Sequence, residues 1–121
     1  MLRFPFARVE GLEGAPELAA VARSNFVRLR ERRSTIFTTD ATRFDRYRDY
    51  DFLYLYSPFP ASVMTQCMAR VVESVDARPR TVTVLYVNTC CHDEIVATDR
   101  ATFESIGRTP HGNDINLHHL T

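Results

Sequence analysis

The residues best suited to chemistry are carboxylates and hydroxyls placed where short apolar runs end. Glu13 closes the run Phe6-Ala7-Arg8-Val9-Glu10-Gly11-Leu12, and Gly14-Ala15-Pro16 follows at once. Asp40, with Ala41 behind it, closes Ser34 to Thr39, and Ser57-Pro58-Phe59-Pro60 closes Phe52 to Tyr56. A carboxylate is a pair of acceptors, matched to a vicinal diol or to the amino group of a base, and a small neighbour such as Ala41 lets a ring approach. Pro58 removes a backbone donor and fixes the chain direction, leaving the Tyr56 carbonyl and the Ser57 hydroxyl free to bond. Each residue also has a plainer use. Glu13, with Glu17, can stabilise a helix N-terminus, and Asp40 can serve as a turn or cap residue.

The elements that must position these groups follow from periodicity and punctuation. Phe6 to Glu13 reads as a strand, and Pro16 suits the first turn of a helix running to about Arg32, with Leu18, Val21, Ala22, Phe26 and Leu29 on one face. The β-branched stretch Ser34 to Thr39 is a second strand, and Ala41 to Asp49 is a polar loop or short helix. Phe52 to Tyr56 is an unbroken apolar and aromatic run, the pattern of a central strand buried on both faces, whose tip would face any ligand. Pro60 opens a second helix, with Val63, Met64, Cys67, Met68, Val71, Val72 and Val75 forming a broad apolar stripe that ends at Ala77-Arg78-Pro79-Arg80. Thr81 to Asn88 is another buried strand, and Cys91 to Ala97 is one or two helical turns. Thr102 to Gly107 and Asp114 to Leu120 are strands joined by a short loop, hence antiparallel. The order β-α-β-β-α-β-α-β-β argues an α/β sheet in a single domain, residues 1–121.

Three acceptor-bearing strand ends in succession carry a resemblance that no single one would. Val9-Glu10-Gly11-Leu12-Glu13-Gly14-Ala15-Pro16-Glu17-Leu18, Asp40-Ala41, Asp51-Phe52-Leu53-Tyr54-Leu55-Tyr56-Ser57-Pro58-Phe59 and Arg78 to Asn88 resemble, in that order, the second-strand motif, the short acidic motif, the central-strand motif and the next strand of the class I S-adenosylmethionine-dependent methyltransferases. The resemblance implies a partial Rossmann-like sheet, mostly parallel with an antiparallel C-terminal edge, and S-adenosyl-L-methionine as cofactor. It implies that Glu13, beside Gly14, binds the ribose diol, that Asp40 takes the adenine amino group and Ala41 the adenine edge. Tyr56, Ser57 and Pro58 would lie beside the sulfonium methyl, and Phe59 would meet the substrate. It names no catalytic residue and no methyl acceptor.

Two features depart from the family pattern. The Gly-rich loop that follows the family's first strand has no counterpart among Gly11, Gly14, Gly107 and Gly112, and Ser57 stands where the family carries Asn or Asp. The expectation is an N-terminally truncated homologue in which the strands ending at Glu13 and Tyr56 pair directly, stay open or recruit a strand from a second copy. A non-catalytic remnant, dimerising through an open sheet edge, is the alternative.

Composition narrows the remaining classes. Fifteen Arg, with no Lys, balance fifteen acids, so no general attraction to nucleic acid or membrane follows. Arg28, Arg30, Arg32 and Arg33 lack interleaved aromatic residues and read as the complement of a helix dipole. No apolar run is long enough to span a membrane, Met1 to Phe6 is too short for a signal peptide, and three cysteines make no disulfide framework, which together predict a cytoplasmic protein. Adjacent Cys90 and Cys91, with His92, Asp93 and Glu94, and the pair His118-His119 do not complete a zinc motif, and no metal is predicted.

Overall fold

The structure is a computed structural model that describes residues 5–56 and 59–121. Ser57 and Pro58, read above as part of the cofactor site, lie outside the described residues. The chain groups into two compact units, Met1–Phe44 and Asp45–Thr121.

In the first unit β1 (Val9–Glu13) and β2 (Ser34–Thr38) pair in parallel, and α1 (Pro16–Arg28) makes the crossover between them. Pro16 fills a first-turn position where its missing N–H costs nothing, and Glu17 faces the positive end of the dipole. The helix stops at Arg28 and does not continue to Arg32. Glu31 N–H donates to the Phe26 carbonyl and Arg30 N–H to the Val27 carbonyl, a Schellman closure in which Arg30 takes φ of 55°. That left-handed position usually holds Gly, and a side chain there costs about 1 kcal/mol.

The packed face of α1 also differs from the expected one. Ala19 is buried and Ala22 and Phe26 are half-buried, whereas Leu18, Val21 and Leu29 are exposed. At 100° per residue Ala19, Ala22 and Phe26 share one arc and Leu18, Val21 and Leu29 an adjacent one. Apolar type alone did not distinguish the two arcs.

In the second unit β3 (Phe52–Tyr56) runs parallel to β4 (Val82–Val87), β4 is antiparallel to β6 (Asp114–Leu120), and β6 is antiparallel to β5 (Ala101–Arg108). The order is β3-β4-β6-β5, so the C-terminal pair forms the expected antiparallel edge. Two helices complete the unit, α2 (Ala61–Ala77) and α3 (His92–Val96). The stripe on α2 is core as predicted: Met64, Cys67, Met68, Val71 and Val75 are buried, as are Val82, Val84 and Tyr86 on β4.

The strand read as central and buried on both faces is neither. β3 occupies an edge of its sheet, and Phe52, Tyr54 and Tyr56 are 43%, 59% and 52% exposed. The reason is the period of two: Leu53 and Leu55 take the less exposed face, which leaves all three aromatic rings on the other. Among the described residues β1 pairs with β2 and β3 with β4.

One side chain ties the second unit together. Arg80, only 8% exposed at its side chain, donates to the carbonyls of Tyr47, Tyr50, Ser74 and Arg78, to the Ser74 hydroxyl and to the Asp51 carboxylate, at 2.8 to 3.2 Å. It thereby joins a 3₁₀ turn at Tyr47–Asp49, the last turn of α2 and the entry to β3. Burial pushes its pKa down, but a guanidinium this far above neutrality stays charged. Replacing Arg80 by Ala removes every one of these bonds and is expected to cost on the order of 3 kcal/mol, measured by urea unfolding. Arg80→Lys is expected to recover less than half, because an ammonium lacks the planar fork.

Candidate functional site

In the first unit the strand-end residues gather at the C-terminal end of the two-stranded sheet. Glu13 is in register with Thr38, and Thr39 N–H donates to the Glu13 carbonyl at 3.1 Å, which ties the end of β1 to the segment carrying Asp40. Glu13 Oε1 accepts from Ala15 N–H at 3.0 Å, so one carboxylate oxygen braces the turn into α1 while Oε2 stays clear of that bond. A Cβ at Gly14 would meet nothing within 4 Å, so sterics do not demand glycine there.

Asp40 organises its own turn. Its Oδ1 accepts from Thr42 N–H at 2.7 Å and from the Thr42 hydroxyl at 2.9 Å, and its carbonyl accepts from Arg43 and Phe44 N–H. The backbone bond from Thr42, then its hydroxyl, and lastly the charge of Arg43 hold the Asp40 carboxyl below the usual range. Asp40 is therefore an ionised, exposed acceptor with Oδ2 free of both Thr42 bonds. Ala41 follows it, half-buried.

In the second unit Tyr56 ends β3, and its hydroxyl accepts from Asn113 Nδ2 at 2.9 Å. Asn113 escaped the sequence reading because no motif marks it; its position follows from the β5-β6 turn, held by Thr109. The Phe59 carbonyl accepts from the Cys91 thiol at 3.5 Å. Burial first, and then bonding with Cys90, raise the Cys91 pKa, which keeps it a thiol rather than a nucleophile. The buried Tyr86 hydroxyl, likewise raised chiefly by burial, accepts from Cys91 N–H at 3.0 Å and anchors the segment after β4.

A cluster that sequence reasoning missed lies between α3 and the β5-β6 pair. His92, Phe103 and His118 pack edge-on or tilted, with ring centroids 4.4 to 5.7 Å apart, and His118 is fully buried. Among the described residues His92 Nδ1 and both His118 nitrogens are buried without a hydrogen-bond partner. Also among them, no three His, Cys, Asp or Glu side chains come together as metal ligands would.

The order of elements and the mixed sheet of the second unit define the class: this is the fold of the class I S-adenosylmethionine-dependent methyltransferases. Solved structures carry that statement. An rRNA methylase from Streptococcus thermophilus superposes with a TM-score of 0.65 at 6% identity, over 94% of this chain and 73% of that one. The N-methyltransferase NodS from Bradyrhizobium japonicum, in complex with S-adenosyl-L-homocysteine, gives 0.64 at 12%, over 94% of this chain and 66% of that one. A structure of MtNAS gives 0.61 at 17%, over 94% and 44%. No protein-family profile matches the sequence, and no curated protein sequence matches it.

Burial, with repulsion from His92 and His119, pushes the His118 pKa down to about 4 from an ordinary 6.5. The unfolded chain thus binds the proton first as pH falls, and stability present above 6.5 is lost progressively down to about 4. The loss is expected to be on the order of 3 kcal/mol, and urea unfolding across that window measures it. His118→Phe is expected to flatten that pH dependence.

Proposed function

We propose that the chain is an S-adenosyl-L-methionine-binding domain of class I methyltransferase lineage, with the adenosine recognised in its first unit. Glu13 accepts the ribose hydroxyls, Asp40 the adenine amino group, and Ala41 and Gly14 leave room for the nucleoside. The observation that carries this reading is the convergence of Glu13 and Asp40 on one end of the β1-β2 sheet, with an oxygen of each clear of its local turn bonds. Such an acceptor set fits an adenosine, whose diol and amino group are donors.

Bound there, the cofactor would supply a methyl already activated as a sulfonium substituent. The protein's own part is then orientation and exclusion of water. Among the described residues Cys67, Cys90 and Cys91 form no disulfide, and thiols of this kind favour the cytoplasm as its compartment. Among the described residues no helix is long and apolar enough to cross a membrane.

Calorimetric titration with S-adenosyl-L-methionine tests the reading. Saturable binding is expected, weakened about tenfold by Glu13→Ala and by Asp40→Ala. Absence of heat at millimolar ligand would sink it.

A second reading, an interaction module, draws on one observation: β3 is an edge strand with three exposed aromatic residues on one face. Two copies pairing along β3 would satisfy that edge. Sedimentation equilibrium is expected to show a concentration-dependent dimer that Tyr54→Lys dissociates, and a monomer at all concentrations excludes it.

A further inference from the structure

The first unit carries a concave feature toward the opposite end of its sheet from Glu13 and Asp40. A cavity of about 480 Å³ opens between the C-terminal half of α1 and the start of β2, lined by Arg23, Phe26, Arg30, Arg32, Ser34 and Thr35 among others. That volume suits a single nucleotide or a ligand of similar size.

Its charge is uncompensated, although the whole chain is neutral. Among the described residues Arg30 and Arg32 make no ion pair, and Arg23 donates only to neutral acceptors, the Ile36 carbonyl at 2.8 Å and the Thr38 hydroxyl at 2.9 Å. The one acid on the lining, Glu31, is already engaged: its Oε1 accepts from Arg33 N–H at 2.6 Å and lies 3.9 Å from the Arg33 guanidinium.

Expectation from the sequence was that these arginines complement the dipole of a helix reaching Arg32. Because α1 ends at Arg28, only Arg28 stands in its last turn, and Arg30 and Arg32 project from the segment beyond. Arg30 occupies the left-handed position of the helix closure, where Gly would be favoured, so local backbone stability does not explain an arginine there. The aromatic group that the sequence pattern lacked is supplied by the fold, since Phe26 lies on the same wall as the arginines.

We propose that this cavity binds a nucleotide, with the phosphate held by Arg30 and Arg32, the base against Phe26, and Ser34 and Thr35 as hydroxyl donors. Guanidinium forks match phosphate oxygens, and an aromatic face accepts any base. The site is independent of the adenosine reading, being built from other residues at the other end of the strands. Its nucleotide is either free or one residue of a single RNA strand, both of which present the same phosphate and base.

Fluorescence anisotropy of the full chain with labelled oligouridylate, and competition by uridine monophosphate, test the proposal. Binding is expected to weaken linearly with log salt, and Arg32→Ala to reduce that slope by about one. Arg30→Gly is the sharpest variant, because it is expected to raise the melting temperature while weakening binding about fivefold or more. Phe26→Leu, which keeps an apolar group in place, is expected to weaken binding by a similar factor. Excess S-adenosyl-L-homocysteine is expected to leave binding unchanged, which separates this site from the adenosine site. Effective competition by the mononucleotide identifies a free nucleotide as ligand; binding of the oligonucleotide alone identifies a strand. Failure of both probes to bind at low salt, full binding by Arg30→Gly protein, or indifference to Phe26→Leu overturns the proposal.

Discussion

The second unit depends on one buried guanidinium. Helices end with carbonyls that have no partner within the helix, and short turns leave others exposed. Arg80 adds a second donor to the Ser74 carbonyl in the last turn of α2 and to the Tyr47 carbonyl of the 3₁₀ turn, which already accept from Arg78 N–H and Tyr50 N–H, and it bonds the Tyr50 carbonyl in the segment entering β3. Arg78 adds bonds to the Arg48 carbonyl and to Asp51, so Asp51 receives two arginines at the first residue before the strand. The bond from Arg78, above all, holds the Asp51 carboxyl below its usual range, yet Asp51 is itself well exposed. Water screens that pair, so the organising force comes from the planar fork of Arg80 on buried carbonyls.

With the start of β3 fixed, register does the rest. Phe52 pairs with Thr83 and Tyr56 with Val87, so the strand's far end, and with it the Tyr56 hydroxyl, is set by an anchor at its beginning. Asn113 then meets that hydroxyl because β6 pairs with β4 and carries the β5-β6 turn to the same end of the sheet. Asn88 N–H donates to the Asp114 carbonyl and takes a left-handed φ of 57°, closing the same end from the β4 side. The polar groups at that end are thus held by backbone geometry.

Much of this was legible before any coordinates. The stripe on α2 announced its core face because seven apolar residues fall on one arc with polar residues opposite. The β5-β6 pair was legible from its turn, and the family resemblance from acids recurring at strand ends. What misled was apolar type without direction. In Phe52-Leu53-Tyr54-Leu55-Tyr56 the alternation separates leucines from aromatic rings, but every residue counts as apolar, so one exposed face read as a second buried one. On α1 two neighbouring arcs were both apolar enough to serve. Arg80 was illegible for a different reason, since its bonding partners Tyr47 and Tyr50 stand 33 and 30 residues away and are main-chain carbonyls that any residue could supply. The His92-His118 contact was hidden likewise, because pairing of distant strands creates it.

The first unit shows how one parallel β-α-β crossover separates two kinds of surface. Both strands run the same way, so both C-terminal ends, with Glu13 and Asp40, come to one side, while the helix returns the chain to the other. The returning segment must carry the end of α1 and the entry to β2, where Arg30, Arg32, Ser34 and Thr35 stand. The carboxylates of Glu13 and Asp40 therefore stand at one end and the guanidinium groups of Arg30 and Arg32 at the other. An anion at the first end would meet two carboxylates and be repelled, and a neutral diol at the second would leave arginines without a counter-charge. The opposed charges thus sort ligands between the two ends, which five residues per strand hold roughly 13 Å apart.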